Sequence, residues 1–299
     1  MYKTAVFEKK ATLKMNEKLR PILKHLKTKR GFDFSGYRPS MIERRLMQRF
    51  SATGCKDRAS YLQYLEGHPD ELNRLVDALT INVSRFFRNA LIFEYLARKI
   101  LPLIVREKMR LRDHSLRVWS AGCSFGEEPY SIAILIKELF DEKGLGLNLN
   151  IFATDIDKGA LKTAEAAVYP FDSIRDVKYG LLKRYFTPVR AQAGNGEKTE
   201  EFFQLVQEIR DMVSFSPYDM LDKRSYAPPE SIFGGFDMVL CRNLLIYFNM
   251  EYQDTIFDKL YRSLSNNGYL ILGNAEIPAM KYQRHFRRVD ALCHVYQKR

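Results

Sequence analysis

Apolar positions along the chain follow two periods, and the change from one to the other falls between residues 88 and 115. Leu19, Ile22, Leu23 and Leu26 recur at helical spacing, and Met41–Thr53, Ser60–Gly67 and Glu71–Thr80 read as further helices. Gly31 and Gly54 act as stops, and Tyr37-Arg-Pro-Ser40 as a turn. No stretch of this region alternates with period two, so a small all-helical domain is predicted. From Leu116 onward, short apolar runs alternate with helical patterns. Leu116–Trp119, Leu149–Asp155, Met212–Met220, Phe236–Asn243 and Tyr269–Gly273 read as strands, and Ile132–Phe140 and Gln253–Leu264 as helices between them. Such alternation predicts an α/β fold around a parallel sheet.

Two stretches depart from the alternation. Within residues 170–212, Phe171–Phe186 is partly helical, and the polar segment around Ala193-Gly-Asn-Gly196 reads as a hairpin turn, with Phe203–Ile209 returning as a strand. At the end, Phe286–Val289 and Leu292–Tyr296 read as an antiparallel pair. The expected organisation is a flexible segment 1–14, a helical domain 15–88, a connecting helix and linker 89–115, and an α/β domain 116–299 with a β-subdomain inserted at about 187–212. The charged run Arg106–Arg117 is expected to be an exposed connection.

Residues 116–130 carry the first chemical signal. An apolar strand runs into a turn holding Gly122 and Gly126, and Pro129 stands in the first turn of the next helix. A turn of this kind lets a ligand lie against bare backbone. The dinucleotide pattern G-x-G-x-x-G is absent, which favours a smaller adenosyl ligand over a pyrophosphate cofactor. Asp155 ends the second strand, where an acid accepts hydrogen bonds from ribose hydroxyls, and Asp157 reads as a helix N-cap. The alternative is that both aspartates only cap.

Three stretches in order resemble one family: Ala-Gly-Cys-Ser-Phe-Gly-Glu-Glu-Pro-Tyr-Ser-Ile-Ala at 121–133, Phe-Ala-Thr-Asp-Ile-Asp at 152–157 and Cys-Arg-Asn-Leu-Leu-Ile-Tyr-Phe at 241–248. The chain is similar to the CheR family, S-adenosylmethionine-dependent methyltransferases that esterify glutamate side chains on chemotaxis receptors. The resemblance runs from about residue 15 to the C-terminus. It implies a class I, Rossmann-like methyltransferase domain after a small helical domain, with a small antiparallel β-subdomain inserted.

The resemblance also implies roles. Asn82 and Ser84 would contact the methionine part of the cofactor, with Ser84 standing where the family has threonine, and Arg88 would sit close to the reacting methyl. Glu128 would bind the amino end, Gly122 would lie against the cofactor and Asp155 would hold the ribose. Asp219, where relatives commonly have asparagine, would hold the adenine amino group, and Met220 would line the ring face. Arg242, Asn243 and Tyr247 would complete the site, with Arg88 and Tyr247 nearest the chemistry. Arg45 and Arg49, four apart on one helix, would face an acidic receptor helix; the plainer reading is a solvated helix face. Gly-His-Ser-Glu of the family is Gly273-Asn-Ala-Glu276 here, so the role of that loop stays open. Glu127 is expected to be structural or exposed.

Composition narrows the alternatives. With 46% hydrophobic and 28% charged residues the chain reads as an ordinary soluble protein, and no apolar run approaches the roughly 20 residues of a membrane span. The N-terminus lacks the apolar core of a signal peptide. Cys55, Cys123, Cys241 and Cys293 are scattered, which argues against a metal site or disulfides and for the cytoplasm. Residues 1–100 hold 21 Lys and Arg against 10 Asp and Glu, so nearly all of the +12 net charge lies there. An acidic protein partner or nucleic acid would suit such a surface. Receptor helices are the expected partner, with no nucleic acid and no membrane insertion, and a monomer is expected. A nucleic-acid methyltransferase and a non-catalytic S-adenosylmethionine sensor remain as alternatives. The first commonly has an Asn/Asp-Pro-Pro-Tyr/Phe motif after the fourth strand, and this chain has none.

Overall fold

The computed structural model describes residues 19–80, 82, 84–191, 200–222, 224–231 and 234–299. The expected flexible segment 1–14 and the turn at 193–196 lie outside the described residues. The chain forms two compact units. One comprises the described residues up to Thr80 together with Tyr247–Tyr252, the other Asn82–Ile246 and Gln253–Arg299. The division thus precedes the 88–115 boundary expected from the change of hydrophobic period, because the helical run from Ala90 to Leu111 packs with the sheet.

The first unit holds α1 (residues 19–30), α2 (Pro39–Thr53), α3 (Arg58–Gly67) and α4 (Pro69–Thr80). Leu19, Ile22 and Leu26, then Met41, Ile42, Leu46 and Phe50, then Leu72, Leu75, Val76 and Leu79 are the buried faces, at the helical spacing of the sequence. Asp57 and Ser60 form a reciprocal capping box at the start of α3, which satisfies two otherwise orphaned N–H groups.

Arg49, expected on a docking face, is engaged within the unit: Nε lies 2.9 Å from Glu71 Oε1 and Nη2 2.5 Å from Oε2. The Tyr61 hydroxyl donates to the same carboxylate at 2.7 Å. Burial alone would raise the Glu71 pKa, but Arg49 and Tyr61 outweigh it and hold it below the ordinary value. Arg45 is half-buried, with Nη1 3.4 Å from Gln48 Oε1, while Arg44 is exposed.

The second unit continues with α5 (Ala90–Tyr95), a π-helical turn Leu96–Ile100, α6 (Leu101–Leu111), β1 (Ser115–Ala121), α7 (Glu127–Lys143), β2 (Asn148–Asp155) and α8 (Lys158–Ala166). Next come β3 (Val168–Pro170), α9 (Phe171–Ile174), α10 (Tyr179–Tyr185), β4 (Phe186–Ala191), β5 (Glu200–Leu205), α11 (Gln207–Arg210) and β6 (Val213–Pro217). After β7 (Phe236–Cys241), helix α12 (Met250–Ser263) leads to β8 (Leu264–Leu272), β9 (Phe286–Arg288) and β10 (Val295–Lys298).

The main sheet has the order β6-β2-β1-β7-β8-β10-β9. Its first five strands are parallel, and β10 and β9 pair antiparallel at the edge. The strand order reverses beside β1, which lies between β2 and β7, and open α/β sheets bind ligands outside the carboxyl ends at such a point. Ile132, Ile134 and Ile136 of α7 are fully buried, each stabilising the fold by about 1.5–3 kcal/mol. The separate sheet has the order β3-β5-β4 and is antiparallel. It is larger than the 187–212 hairpin expected, because Val168–Pro170 joins it across a distance in sequence that no local pattern records.

Arg106–His114 is exposed as expected apart from the half-buried Lys108, but part of it is helical and two cations of the run are engaged. Helix α6 runs to Leu111, and Lys108 lies 2.6 Å from Asp113 and 2.7 Å from Asp237. Arg117, in β1, stacks over the Phe152 and Phe236 rings and donates to Ser231 Oγ at 2.7 Å.

Candidate active site

The turn after β1 is suspended from β2. The N–H groups of Gly122 and Cys123 both donate to the Thr154 carbonyl, at 2.8 and 3.0 Å. Gly122 is left-handed at φ +75°, and a Cβ there would meet the Leu244 side chain at 3.1 Å. Ser124 donates its N–H to Asp155 Oδ2 at 2.8 Å, while its hydroxyl is buried with no partner among the described residues.

Asp155 accepts a second backbone bond, from Asp157 N–H to Oδ1 at 3.0 Å. Burial raises its pKa, and the backbone donors pull it back in part. Asp157 caps α8 as expected, through the N–H groups of Gly159 and Ala160. Its other oxygen accepts from Asn82 Nδ2 at 2.6 Å, which draws Asn82 to the end of β2.

Glu128 and Arg88 meet through Arg242. Glu128 Oε1 accepts from Ser120 Oγ at 2.8 Å and Oε2 from Arg242 Nη1 at 3.0 Å. Arg242 Nη2 donates to the Arg88 carbonyl at 2.8 Å, and its guanidinium lies 5.2 Å from the Phe93 ring centroid. The Arg242 side chain is 3% exposed, and this cation braces two site residues. A carboxylate has about four lone-pair sites, so Glu128 retains capacity for an ammonium.

Residues 84–89 are held from beneath. Phe86 N–H donates to the Ser173 carbonyl and Phe87 N–H to Ser131 Oγ, both at 3.0 Å, and both rings are buried. Glu127 is 1% exposed, which excludes the exposed half of its expected description. Burial pushes its carboxyl up to about 7, and its Oε2 is buried with no partner among the described residues.

Past β6, Tyr218 N–H donates to the Asp155 carbonyl at 2.9 Å, so this loop adjoins the ribose candidate. Asp219 Oδ1 accepts from Leu221 N–H at 2.8 Å, and Met220 is buried. The strand ends at Pro217, two residues short of the Asp219 expected. Past β7, Asn243 is left-handed at φ +59°. Tyr247 ends a short 3-10 turn, Leu245–Tyr247, and belongs to the first unit, where its carbonyl accepts from Arg38 N–H at 2.8 Å.

Glu276 is the principal residue that sequence reasoning left without a role. Its carboxylate accepts from Gly273 at 2.7 Å, Asn243 at 2.9 Å, Leu245 at 2.8 Å and Ile246 at 3.4 Å, all backbone N–H groups. The only local signal was an acid three residues past a glycine that ends an apolar strand. Ser124 gave no signal at all, since an unpartnered hydroxyl is a property of the folded turn.

The residues present fit an adenosyl amino-acid ligand. Asp155 and Glu128 supply carboxylates for hydroxyls and an ammonium, Gly122 leaves bare backbone, and the Ser124 hydroxyl lacks a partner. Among the described residues no group of His, Cys, Asp and Glu could hold a metal ion, and no helix is long and apolar enough to cross a membrane.

Comparison with known proteins agrees. Residues 82–293 match the CheR methyltransferase SAM binding domain, and residues 17–80 match the CheR methyltransferase all-alpha domain. The chemotaxis protein methyltransferase of Salmonella typhimurium is 33% identical over 251 residues, covering 82% of this chain and 78% of that one. Chemotaxis protein methyltransferase 2 of Vibrio cholerae is 30% identical over 266 residues, 87% and 86% of the two chains. The chemotaxis protein methyltransferase of Borreliella burgdorferi is 29% identical over 248 residues, 82% and 83%. An all-helical unit, a Rossmann-like sheet with its glycine turn, and matches spanning both units lead to one conclusion: the chain belongs to the CheR family of S-adenosylmethionine-dependent methyltransferases.

Proposed function

We infer that the chain transfers a methyl group from S-adenosylmethionine to glutamate carboxylates of chemotaxis receptors, leaving glutamate methyl esters and S-adenosylhomocysteine. The single observation that carries the site assignment is the hydrogen-bonded chain Glu128–Arg242–Arg88, which joins a carboxylate fit for the cofactor's ammonium to the residue assigned to the reacting methyl. When bound, the cofactor supplies an electrophilic sulfonium methyl. Asp155 holds the ribose, Asp219 and Met220 the adenine, and Asn82 and Ser84 support the methionine end, Asn82 placed there by its bond to Asp157.

A glutamate has an ordinary pKa of about 4.3, so the nucleophile is ionised at neutral pH and no general base is needed. The protein's task is alignment and desolvation of the attacking oxygen. Arg88 orients that carboxylate. Arg44 and Arg45 are the cations of α2 that remain for acidic receptor helices, since Arg49 is committed to Glu71. We assign the enzyme to the cytoplasm as a monomer.

The test is transfer of labelled methyl to a receptor cytoplasmic fragment and, in parallel, to bulk RNA. Protein label released by mild base as volatile methanol identifies a carboxyl ester. Base-stable label in RNA would overturn the reading. Asp155→Ala should weaken S-adenosylmethionine binding at least tenfold in calorimetry; near-wild-type affinity would remove Asp155 from the ribose site.

A further inference from the structure

Lys259 is 2% exposed, an unusual place for an ammonium, and nothing in the chemistry above uses it. It stands on α12 and reaches the loop that follows β6. Its Nζ donates to the Tyr218 hydroxyl at 2.9 Å, to the Asp219 carbonyl at 3.4 Å and to the Asp222 carbonyl. It also lies 4.6 Å from the Tyr218 ring centroid. Tyr218 is itself fixed, by its hydroxyl to the Ser225 carbonyl at 2.8 Å and by its ring edge-on to Trp119.

Such a group is costly to keep. Burial draws the Lys259 pKa down to about 8, with the Asp222 and Asp219 charges opposing the fall. An ordinary core position would hold an apolar side chain, because a buried ammonium loses its hydration and regains only part of it from carbonyls. What the lysine does that an apolar residue cannot is tie three successive parts of one loop to one point. Both carbonyls it binds belong to the turn Asp219–Asp222, which closes by its own bond from Asp222 N–H to the Asp219 carbonyl at 3.0 Å. The same loop touches β2 through the bond from Tyr218 N–H to the Asp155 carbonyl. Asp219 and Met220 thus stand on a backbone braced from inside by Lys259 and from the side by β2.

We propose that Lys259 is a positioning residue for adenine recognition: its buried ammonium sets the backbone of residues 218–222 and thereby the placement of Asp219 and Met220. The proposal rests on the assignment of Asp219 and Met220 to the adenine. It places the effect on one half of the cofactor, and leaves the reacting end at Arg88 and Glu128 untouched.

The experiment compares Lys259→Met, Tyr218→Phe, Asp219→Ala and Met220→Ala with wild type in the full chain. Dissociation constants are measured for S-adenosylhomocysteine and for adenosine, and kcat for a receptor fragment is measured at saturating S-adenosylmethionine. Lys259→Met is expected to weaken both ligands about tenfold and by similar factors, with kcat within twofold of wild type. Tyr218→Phe keeps the ring and removes the hydroxyl that accepts from Lys259 and donates to the Ser225 carbonyl, so it should weaken adenosine by a smaller factor and still fold if Lys259→Met does not. Asp219→Ala and Met220→Ala should weaken adenosine as well. Unchanged adenosine binding in Lys259→Met, or in Tyr218→Phe should Lys259→Met fail to fold, overturns the positioning role while leaving the adenine assignment standing. Unchanged binding in Asp219→Ala and Met220→Ala overturns that assignment and the proposal with it. A fall in kcat without a change in adenosine affinity also refutes the proposal, because the lysine would then act on the reacting end.

Discussion

Replacing Glu276 by glutamine should cost stability and cofactor affinity together. In the wild type each carboxylate oxygen accepts two backbone N–H groups: Oε1 those of Leu245 and Ile246, Oε2 those of Gly273 and Asn243. Glutamine keeps one oxygen and must turn an NH2 group toward two donors. Two hydrogen bonds to a charged acceptor are lost, and two buried N–H groups are left unsatisfied, at about 1–3 kcal/mol each. Removal of a buried charge returns part of this, since burial already pushes the Glu276 pKa up. A net loss of about 2 kcal/mol remains, or a fall of roughly 4–8 °C in Tm. Trp119, the single tryptophan and fully buried in β1, reports unfolding by its fluorescence. Gly273→Ala is an independent version of the same perturbation, for a Cβ there would lie 2.7 Å from Glu276 Oε2 and 2.9 Å from the Asn243 nitrogen. The two changes act on one cluster, so the double variant should lose less than their sum. A wild-type melting temperature in Glu276→Gln would refute the clasp.

Three further outcomes are expected. Arg49→Ala should destabilise the chain by about 3 kcal/mol in urea denaturation, because Glu71 is left buried and unpaired, whereas Arg45→Ala should raise KM for a receptor fragment with little change in stability. Equal effects of the two on KM would restore Arg49 to the docking face. Glu127 has its carboxyl raised from 4.5 to about 7, so the folded protein binds the extra proton between those values. Its contribution is full below the unfolded value and is lost as pH rises through 7, which amounts to about 3 kcal/mol. Glu127→Gln should therefore gain stability relative to wild type between pH 5 and pH 8, and a pH-independent difference in denaturation midpoint would contradict the buried, proton-holding carboxyl. Arg242→Met should weaken S-adenosylmethionine binding and lower kcat together, since it unties Glu128 from Arg88; a loss of only one would show that the brace does not couple them.

Much of the fold is legible in local pattern. The helices of the first unit, the five parallel strands and the antiparallel pair at the edge fall within a few residues of where periodicity places them, because each element buries a face whose spacing is local. The Asp157 cap was readable for the same reason, since it serves its own helix. The third strand of the small sheet was not readable: Val168–Pro170 pairs with residues 202–204, and three residues carry too little alternation to register. The exposure of Arg106–His114 was legible from its charge, whereas the pairing of Lys108 with Asp237 was not, because a charge count does not show which carboxylate a cation faces.

The candidate site divides in the same way. The strand–glycine turn–helix at 116–130 and the acid ending the second strand follow from residue order alone, because a turn and the strand beside it are short-range objects. So does the family resemblance. What only the folded chain decides is which charges meet. Arg49 and Arg45 look alike on one helix, and 22 residues separate Arg49 from the Glu71 that claims it. Arg242 meets Glu128, 114 residues away. Glu276 and Lys259 look ordinary until backbone groups of other segments converge on them. Hydrogen bonds and ion pairs act over about 3 Å, so their partners are set by how distant segments pack, and no local period encodes that.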